Sequence, residues 1–377
     1  MFLPLIISSF LYSLAGGLNI FSLPLKAIYL GMSPSHLGIL GAGGTLVYLP
    51  FSILMGYLSD RLGREIFLRL APLFLFTGTI ILILGKNFSV LLFSTFILGW
   101  GASFFWPVIA PLLVEKEMGR MRYTLSIYNV SWALPMLVSS PLGGILFSRS
   151  PSLPFVVSGI IALSIFFILN FTLTRFGKRE EVREVGEERE KGALFPFFLL
   201  ILFLSNAFLS ILFNIFPKWG VAMKFSPRLL GFILGSNSFF RLLAFFLYGR
   251  GIYPRHYLTP SFLALSFSSI SLVFFLSRSI LLFFISSSLL GVAGGYTYSL
   301  ALHQGVGERK ERGRRAGMIE GTGGGGWITG SLVGGWVMEK LGYPYPFLIF
   351  SLLSLFIFLL TLFILHKRII NGKNREY

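Results

Sequence analysis

Long apolar runs alternate with short polar segments along most of this chain. A helix needs about 20 mainly apolar residues to cross a bilayer, and twelve runs reach that length. Six of them precede a long polar break, at about residues 2–30, 35–58, 66–85, 89–113, 123–147 and 153–174. Six more follow it, at about residues 194–220, 228–249, 257–277, 279–303, 314–338 and 345–366. The pattern predicts an all-α integral membrane protein with twelve transmembrane helices.

The polar break mixes acidic and basic side chains, reading RFGKREEVREVGEEREK from Arg175 to Lys191. A segment of this composition is typical of a solvated linker. We therefore predict three parts: an N-terminal six-helix half at 1–174, a cytoplasmic linker at 175–192, and a C-terminal six-helix half with a short cytoplasmic tail at 193–377.

The overall composition indicates a lipid environment. Of the 377 residues, 54% are hydrophobic and only 12% are charged, whereas about a quarter of the residues in a soluble domain are charged. So little polar surface cannot cover a body of this size in water. We expect the lipid bilayer to be the main partner of the chain.

The charge that remains is basic, with 32 Lys and Arg against 15 Asp and Glu. These basic residues recur in short clusters between the apolar runs, so they indicate membrane topology rather than nucleic-acid binding. If both termini are cytoplasmic, 23 of them lie on the inner side, eight lie on the outer side, and Arg241 lies within a span. The count predicts a multi-pass protein of the cell (inner, cytoplasmic) membrane with both termini in the cytoplasm.

Side chains that carry enzyme or cofactor chemistry are scarce or scattered. Cysteine is absent, and the four histidines match no metal-binding spacing. A multispan membrane enzyme would need clustered His, Asp or Ser side chains at the membrane face, and the sequence holds no such cluster. We expect no catalytic residue, no metal site, no cofactor and no enzymatic activity.

The two sets of six runs repeat each other at an offset of 191 to 193 residues. Three matches carry the repeat: Ser33–Gly38 with Ser226–Gly231, Leu98–Gly99 with Leu290–Gly291, and Ser139–Gly144 with Gly330–Gly335. Six spans separate the copies, so both copies begin on the same side of the membrane. Parallel repeats of this kind place a substrate site near the midplane, between two pseudo-symmetric halves.

Between the second and third runs the chain reads GYLSDRLGRE, from Gly56 to Glu65. This segment resembles the G-x-L-x-D-R-x-G-R signature of the major facilitator superfamily (MFS), and it occupies the loop in which that family carries it. The resemblance implies the MFS fold and transport by alternating access. It also implies a conformational latch formed by Gly56, Asp60, Arg61, Gly63 and Arg64.

Each residue type in this segment has a physical reason to be there. Gly56 would let the second span approach a neighbour closely, and Gly63 would serve a tight turn. By resemblance, Asp60 contacts the start of the eleventh span, near Gly313 to Gly317, and holds the cytoplasmic side shut in the outward-facing state. A plain positive-inside loop accounts for the arginines but not for an Asp at this depth, so we favour the latch. The corresponding segment of the second half, at 248–255, has no Asp.

Ionisable side chains inside spans indicate functional sites. Arg241 lies in the middle of the eighth span and Glu320 lies in the eleventh, while Asn129 occupies the position in the fifth that corresponds to Glu320. We predict that Arg241 holds an anionic or hydrogen-bonding substrate, with Glu320 as its partner or as a proton carrier. The alternative is a structural salt bridge, or a Glu320 that snorkels to the basic loop beside it.

Aromatic and amide side chains complete the set of substrate candidates. The resemblance implies that spans one, four, seven and ten line the cavity. The candidates in or near these spans are Asn19, Trp106, Tyr128, Asn206, Asn214, Tyr296 and Tyr298. Aromatic rings with one polar handle suit amphipathic or ring-bearing ligands. Lys26 and Lys218, late in the first and seventh spans, are predicted to snorkel to lipid headgroups.

No predicted span of the first half contains an acidic residue, although many proton symporters of the superfamily carry one there. We therefore expect a monomeric secondary active transporter that exports amphipathic or hydrophobic small molecules, as drug-efflux proteins do, with protons as a candidate coupling ion. A carrier of sugars or organic anions, with Arg241 as the anion-binding point, is the alternative within this class. A non-transporting membrane sensor with the same fold is the alternative from another class.

Overall fold

The computed structural model describes residues 2–116, 121–173, 194–254, 256–306 and 312–370, and almost all of them are helical. The first part holds α1 (Phe2–Tyr29), α2 (Pro34–Leu62), α3 (Arg64–Leu84), α4 (Phe88–Lys116), α5 (Met121–Arg149) and α6 (Leu153–Leu173). The second part holds α7 (Phe195–Ser210), α8 (Phe216–Ala222), α9 (Pro227–Gly249), α10 (Thr259–Leu276), α11 (Ile280–Val306), α12 (Arg312–Leu341) and α13 (Tyr345–Ile370). Since no strand occurs in these ranges, the predicted all-α class is confirmed.

Every predicted span corresponds to helical structure, and the seventh is shared by α7 and α8. Within the described ranges, eleven helical segments are long and apolar enough to cross a membrane. The remaining one, α12, is long enough at 30 residues, but its run of glycines and Glu320 lower its apolar content. The twelve-span fold predicted from the sequence is therefore confirmed.

The seventh span changes its hydrogen-bonding pattern in the middle. Between α7 and α8, the segment Ile211–Ile215 forms a π-helical turn, and α8 begins with Phe216 and Pro217. Proline has no backbone N–H and its ring clashes with the carbonyl four residues earlier, which here belongs to Phe213. The π turn absorbs this disruption while the chain stays helical, and the span runs on to Ala222.

The described residues divide into two compact units. The first unit contains residues 2–173 together with Phe213–Gly235, and the second contains residues 194–212 together with 236–370. The second part of the seventh span and the beginning of α9 therefore pack with α1–α6. The linker predicted at 175–192 lies outside the described residues, so the predicted boundaries of the two halves stay a prediction.

The repeated SP segments are helix starts in both halves. Ser33 caps α2 by accepting a hydrogen bond from the backbone N–H of His36, and Pro34 occupies the first turn. Ser226 accepts in the same way from the N–H of Leu229, next to Pro227 at the start of α9. A Ser N-cap followed by Pro satisfies an end N–H and supplies a helical φ angle. This part of the repeat therefore encodes a local structure rather than a binding site.

The repeated glycines mark equivalent helix crossings. An ideal Cβ on Gly99 of α4 would lie 2.1 Å from the carbonyl oxygen of Gly44 in α2, and one on Gly291 of α11 would lie 2.2 Å from that of Asn237 in α9. Asn237 follows Gly44 by 193 residues, within the offset of the repeat. The α2–α4 and α9–α11 crossings are therefore copies of one contact, and only glycine permits it.

A second pair of crossings shows the same symmetry with the partners exchanged. An ideal Cβ on Gly17 of α1 would lie 2.3 Å from Ser139 Oγ in α5, whereas one on Gly330 of α12 would lie 2.4 Å from Ser210 Oγ in α7. In one half the earlier helix supplies the glycine and the later helix the serine, and in the other half the roles are reversed. Both arrangements place one glycine and one serine at the crossing.

The predicted snorkelling of Lys26 and Lys218 is wrong. Lys26 is 8% exposed, and its Nζ donates hydrogen bonds to the carbonyl oxygens of Leu82 and Ile83 at the end of α3. Lys218 Nζ donates to the carbonyl oxygen of Met32 at 2.8 Å. The last carbonyls of a helix have no intrahelical donors and attract a cation, which explains the position of Lys26. Met32 lies in the loop between α1 and α2, so its carbonyl is also open to a donor, and protein groups hold both ammonium groups in place of lipid headgroups.

Candidate functional site

The segment that resembles the MFS signature forms the turn between α2 and α3. Gly63 links the two helices with φ +98°, a backbone conformation that side chains other than glycine rarely adopt. The predicted tight turn at Gly63 is thereby confirmed. Gly56 differs, because an ideal Cβ there would lie 3.8 Å from Pro107 Cβ, at ordinary van der Waals distance. The close helix approach expected at Gly56 is absent in this structure and occurs instead at Gly99.

The charged residues of this turn are held by local contacts. Asp60 Oδ1 accepts hydrogen bonds from Arg64 Nη2 at 2.7 Å and from Arg64 Nε at 3.2 Å. The Arg61 guanidinium lies 4.3 Å from the centroid of the Tyr57 ring, a cation–π contact. Asp60 keeps 55% of its side chain exposed, so it remains accessible to a further partner. The contact predicted between Asp60 and the start of α12 stays a prediction.

The first unit contains an aromatic cluster built on one face of α4. The Tyr12 ring of α1 stacks on the Phe105 ring with centroids 4.0 Å apart and an interplanar angle of 8°. The Trp106 ring stands edge-on to both, at 5.7 Å from Tyr12 and 5.1 Å from Phe105. The Tyr12 hydroxyl is buried and has no hydrogen-bond partner among the described residues. This cluster therefore combines apolar ring faces with one unsatisfied hydroxyl.

A second group of rings lies on a different face of the same helix. Trp100 packs against Phe51 of α2 and Phe74 of α3, with centroid distances of 5.3 and 5.8 Å. Phe104 packs against Phe74 at 5.1 Å. At 3.6 residues per turn, Trp100 and Phe104 share one face of α4, so Phe105 and Trp106 face another. The aromatic run of α4 thus serves two clusters.

The amide candidates have different surroundings. Asn19 is buried and donates from Nδ2 to Thr79 Oγ1 of α3 at 2.9 Å. Asn206 donates to the Leu202 carbonyl within α7 and faces Gly323 of α12, where an ideal Cβ would lie 3.5 Å from its Nδ2. Asn214 belongs to the π turn and packs closely against Gly41 of α2. The side chain of Asn129 lies outside the described residues.

Two other candidates also contact protein groups. Tyr296 donates from its hydroxyl to the carbonyl oxygen of Ile252 at 3.0 Å. Tyr128 is partly buried and packs against the apolar core of the first unit, in which Tyr12, Phe105 and Leu113 are buried. Neither contact excludes a ligand, but both show that these side chains already contribute to packing.

Arg241 lies where α9 crosses α11. An ideal Cβ on Gly294 would lie 2.7 Å from Arg241 Nη2, and one on Gly295 would lie 2.8 Å from the Arg241 carbonyl oxygen. Arg241 is partly exposed, whereas its Nε atom is buried without a hydrogen-bond partner among the described residues. No ion pair between Arg241 and a carboxylate is found within those residues. A salt bridge between Arg241 and Glu320 is therefore absent from this structure.

Tyr298 of α11 lies beside the crossing with α9. Its ring packs against Phe245 of α9 with centroids 5.9 Å apart, one helical turn beyond Arg241. The structure therefore places Tyr298 close to the contact between Arg241 and Gly294, whereas the charged site predicted at Arg241 and Glu320 stays a prediction.

Three residues near these sites were not singled out by the sequence analysis. They are Tyr12, Ser205 and Gly294. The Gly294-Gly295 pair was the available signal, because paired glycines in a span indicate a close approach by another group. The identity of that group depends on the helix crossing and is not encoded locally.

Comparisons with known proteins assign this chain to one family. The family model described as Major Facilitator Superfamily matches residues 5–304 and 198–376. The quinolone resistance protein NorA of Staphylococcus aureus is 27% identical over 175 residues, which cover 45% of this chain and 44% of NorA. The vesicular acetylcholine transporter unc-17 of Caenorhabditis elegans is 28% identical over 144 residues, which cover 36% of this chain and 27% of that protein. The matched regions span less than half the length of these relatives.

Among solved structures, the crystal structure of a mutant of the nucleoside transporter NupG is similar over almost the whole length. The TM-score is 0.76 at 16% identity, with coverage of 96% of this chain and 98% of that chain. At this identity the likeness concerns the fold alone.

Proposed function

We propose that this chain, which belongs to the Major Facilitator Superfamily and is a membrane transporter of that family, exports amphipathic or hydrophobic small molecules. Alternating access of two related halves about a midplane site is the expected mechanism. The relative NorA, a quinolone resistance protein, supports the substrate class. Protons are the proposed coupling ion, Glu320 their proposed carrier, and a monomer in the cytoplasmic membrane, with both termini inside, the proposed working form.

The observation that carries this proposal is the Tyr12–Phe105–Trp106 cluster. Tyr12 and Phe105 are buried and stack on each other, so Trp106, which is only partly buried, is the ring of the cluster that offers surface to a ligand. An aromatic ring binds apolar and aromatic bodies of many shapes, which is the requirement for an exporter of chemically varied compounds. The buried Tyr12 hydroxyl, which has no partner among the described residues, supplies the single polar handle that orients such a ligand. Asn19, Trp106, Tyr128, Asn206, Asn214 and Tyr296 remain proposed contributors, whose side chains also serve packing.

Transport by reconstituted protein tests the proposal. Purified full-length protein in proteoliposomes should move lipophilic dyes across the membrane under an imposed proton gradient. Tyr12→Phe should lower the initial rate for hydrogen-bonding dyes about tenfold, because one hydrogen bond to the cargo is lost, while purely apolar dyes move nearly as before. Tyr29→Phe is the matched control, since Tyr29 lies on the same helix and is 74% exposed.

The outcome also discriminates between classes of function. Absence of dye movement in either direction under either gradient would contradict a transporter of amphiphiles and favour the sensor alternative. The other alternative is a carrier of sugars or organic anions. Arg241 favours organic anions over sugars within that alternative, because a fixed cation recognises a negative charge rather than a neutral hydroxyl-rich ring.

A further inference from the structure

Polar groups of α7 and α9 converge on one glycine of α11 inside the second unit. An ideal Cβ on Gly294 would lie 2.7 Å from Arg241 Nη2, 3.1 Å from Ser205 Oγ and 3.4 Å from Arg241 Nε. The guanidinium and the hydroxyl therefore approach the same point on α11. Any side chain larger than that of glycine at 294 would displace one or both of them.

One polar atom of each group lacks a hydrogen-bond partner in the part of the chain that the structure describes. Ser205 is 1% exposed, and its Oγ, like Arg241 Nε, is buried without a hydrogen-bond partner among the described residues. An unpaired polar atom buried in this way costs free energy, and an unpaired cation costs more. A purely structural arginine at this depth would be expected to have a carboxylate beside it, and the described residues place none at ion-pair distance from Arg241.

The surroundings of the pair add a second hydroxyl. Tyr298 lies one turn beyond Gly294 on α11, and its ring packs against Phe245, one turn beyond Arg241 on α9. Because residues one turn apart share a helix face, the Tyr298 hydroxyl is a further donor for a ligand at this crossing.

We propose that Arg241, Ser205 and Tyr298 bind a carboxylate on the cargo, and that Gly294 is a positioning residue that leaves room for the guanidinium. Arginine presents a planar fork of donors that matches a carboxylate, and the two hydroxyls complete its acceptor positions. This inference rests on the proposed export of amphiphiles and restricts it: the preferred cargo has an apolar body and an anionic group.

Equilibrium binding of two matched probes to the full-length protein in lipid nanodiscs tests this subsite. Naphthoate and naphthamide share an aromatic body, and only the former carries a charge. Wild type should bind naphthoate about tenfold more tightly, because a hydrogen bond to a charged group contributes more than one between neutral groups. Arg241→Met should remove that preference and change naphthamide affinity less than about twofold.

Two glycine-to-alanine variants distinguish a positioning role of Gly294 from a general effect of adding a methyl group to a helix. Gly294→Ala should remove the preference for naphthoate, because its methyl group would contact Arg241 Nη2. Gly325→Ala is the matched control, since an ideal Cβ there meets nothing closer than Phe203 Cε2 at 3.9 Å. It should leave both affinities unchanged. Equal loss of both probes in Gly294→Ala, with wild-type thermal stability, would overturn the positioning role.

The melting temperature of Arg241→Met distinguishes a binding role from a structural role, because the two roles predict changes of opposite sign. Arg241→Met should raise the melting temperature, because the buried Nε that has no partner among the described residues is replaced by an apolar chain. A lowered melting temperature together with equal loss of both probes would overturn the subsite and indicate a structural arginine. Binding of both probes with equal affinity to wild type would overturn the subsite alone, whereas binding of neither would overturn the proposed export of amphiphiles as well.

Discussion

Asn19, Lys26 and Arg241 are three polar side chains inside spans, and their hydrogen-bonding groups are satisfied to different extents. The Nδ2 of Asn19 bonds to Thr79, and the ammonium of Lys26 bonds to the last carbonyls of α3. Asn19 Oδ1 and Arg241 Nε are both buried without a hydrogen-bond partner among the described residues. Burial without a partner is costly, and it costs more for a charged group, so Arg241 has the stronger requirement for a ligand. The sequence alone marks all three as unusual but cannot distinguish them.

Two tyrosine-to-phenylalanine variants should change the free energy of unfolding in opposite directions. Tyr12→Phe should raise the free energy of unfolding by about 1 kcal/mol, because it removes a buried hydroxyl that has no partner in the described part of the chain. Tyr296→Phe should lower it by about 0.5 kcal/mol, because it removes the hydrogen bond to the Ile252 carbonyl. Thermal and denaturant unfolding in one detergent would measure both. A destabilised Tyr12→Phe would show that its hydroxyl has a partner in the folded protein.

At the scale of helices, glycine positions decide which pairs can touch. The α2–α4 and α9–α11 crossings repeat one contact, and the α1–α5 and α7–α12 crossings exchange a glycine and a serine. Helices in lipid gain little from hydrophobic burial against one another, so close approach and van der Waals contact determine their association. Helix periodicity also separates the aromatic run of α4 into two clusters, a division that reading the residues in order does not reveal.

The crossing of α2 and α4 yields a prediction with an internal control. Gly99→Ala should destabilise the protein by about 2 kcal/mol or more, because its methyl group would collide with the Gly44 carbonyl at 2.1 Å. Gly56 lies on α2, where an ideal Cβ would be at van der Waals distance, 3.8 Å, from Pro107 Cβ. Gly56→Ala should therefore leave the free energy of unfolding unchanged or raise it by up to about 1 kcal/mol through helix propensity. The melting temperatures of the two variants test this prediction. Equal changes in both would contradict a close contact between Gly99 and Gly44.

At the scale of the whole molecule, function depends on how the conformational states are populated. The turn at Gly63 and the ion pair between Asp60 and Arg64 organise the signature segment within the first unit. Its proposed role as a latch is to stabilise the outward-facing state through Asp60. A small free-energy bias is enough for such a role, since about 1 kcal/mol changes a population ratio about fivefold.

Neutralising Asp60 tests the latch directly. The natural chain has no cysteine, so spin labels can be attached at cysteines introduced at Leu62 and Gln304 without further changes. Asp60→Asn should shift the distance distribution toward the inward-facing state about fivefold, because a contact worth about 1 kcal/mol is lost. Glu65→Gln removes the same charge from the same segment and should leave the distribution unchanged. Equal shifts in both variants would indicate a general charge effect and contradict a latch at Asp60.

The sequence by itself determined the twelve spans, the related halves and the family. Hydropathy depends on composition over about 20 residues, a Ser-Pro helix start depends on four residues, and the signature segment is contiguous, so all three can be recognised without knowing which residues meet. The tertiary structure decided which group each side chain faces. Lys26 contacts the end of α3, and Phe105 and Trp106 contact the ring of Tyr12. Arg241 meets Ser205 at Gly294. Those partners come from separate helices, and small residues at the crossings fix their register, so no local pattern contains them.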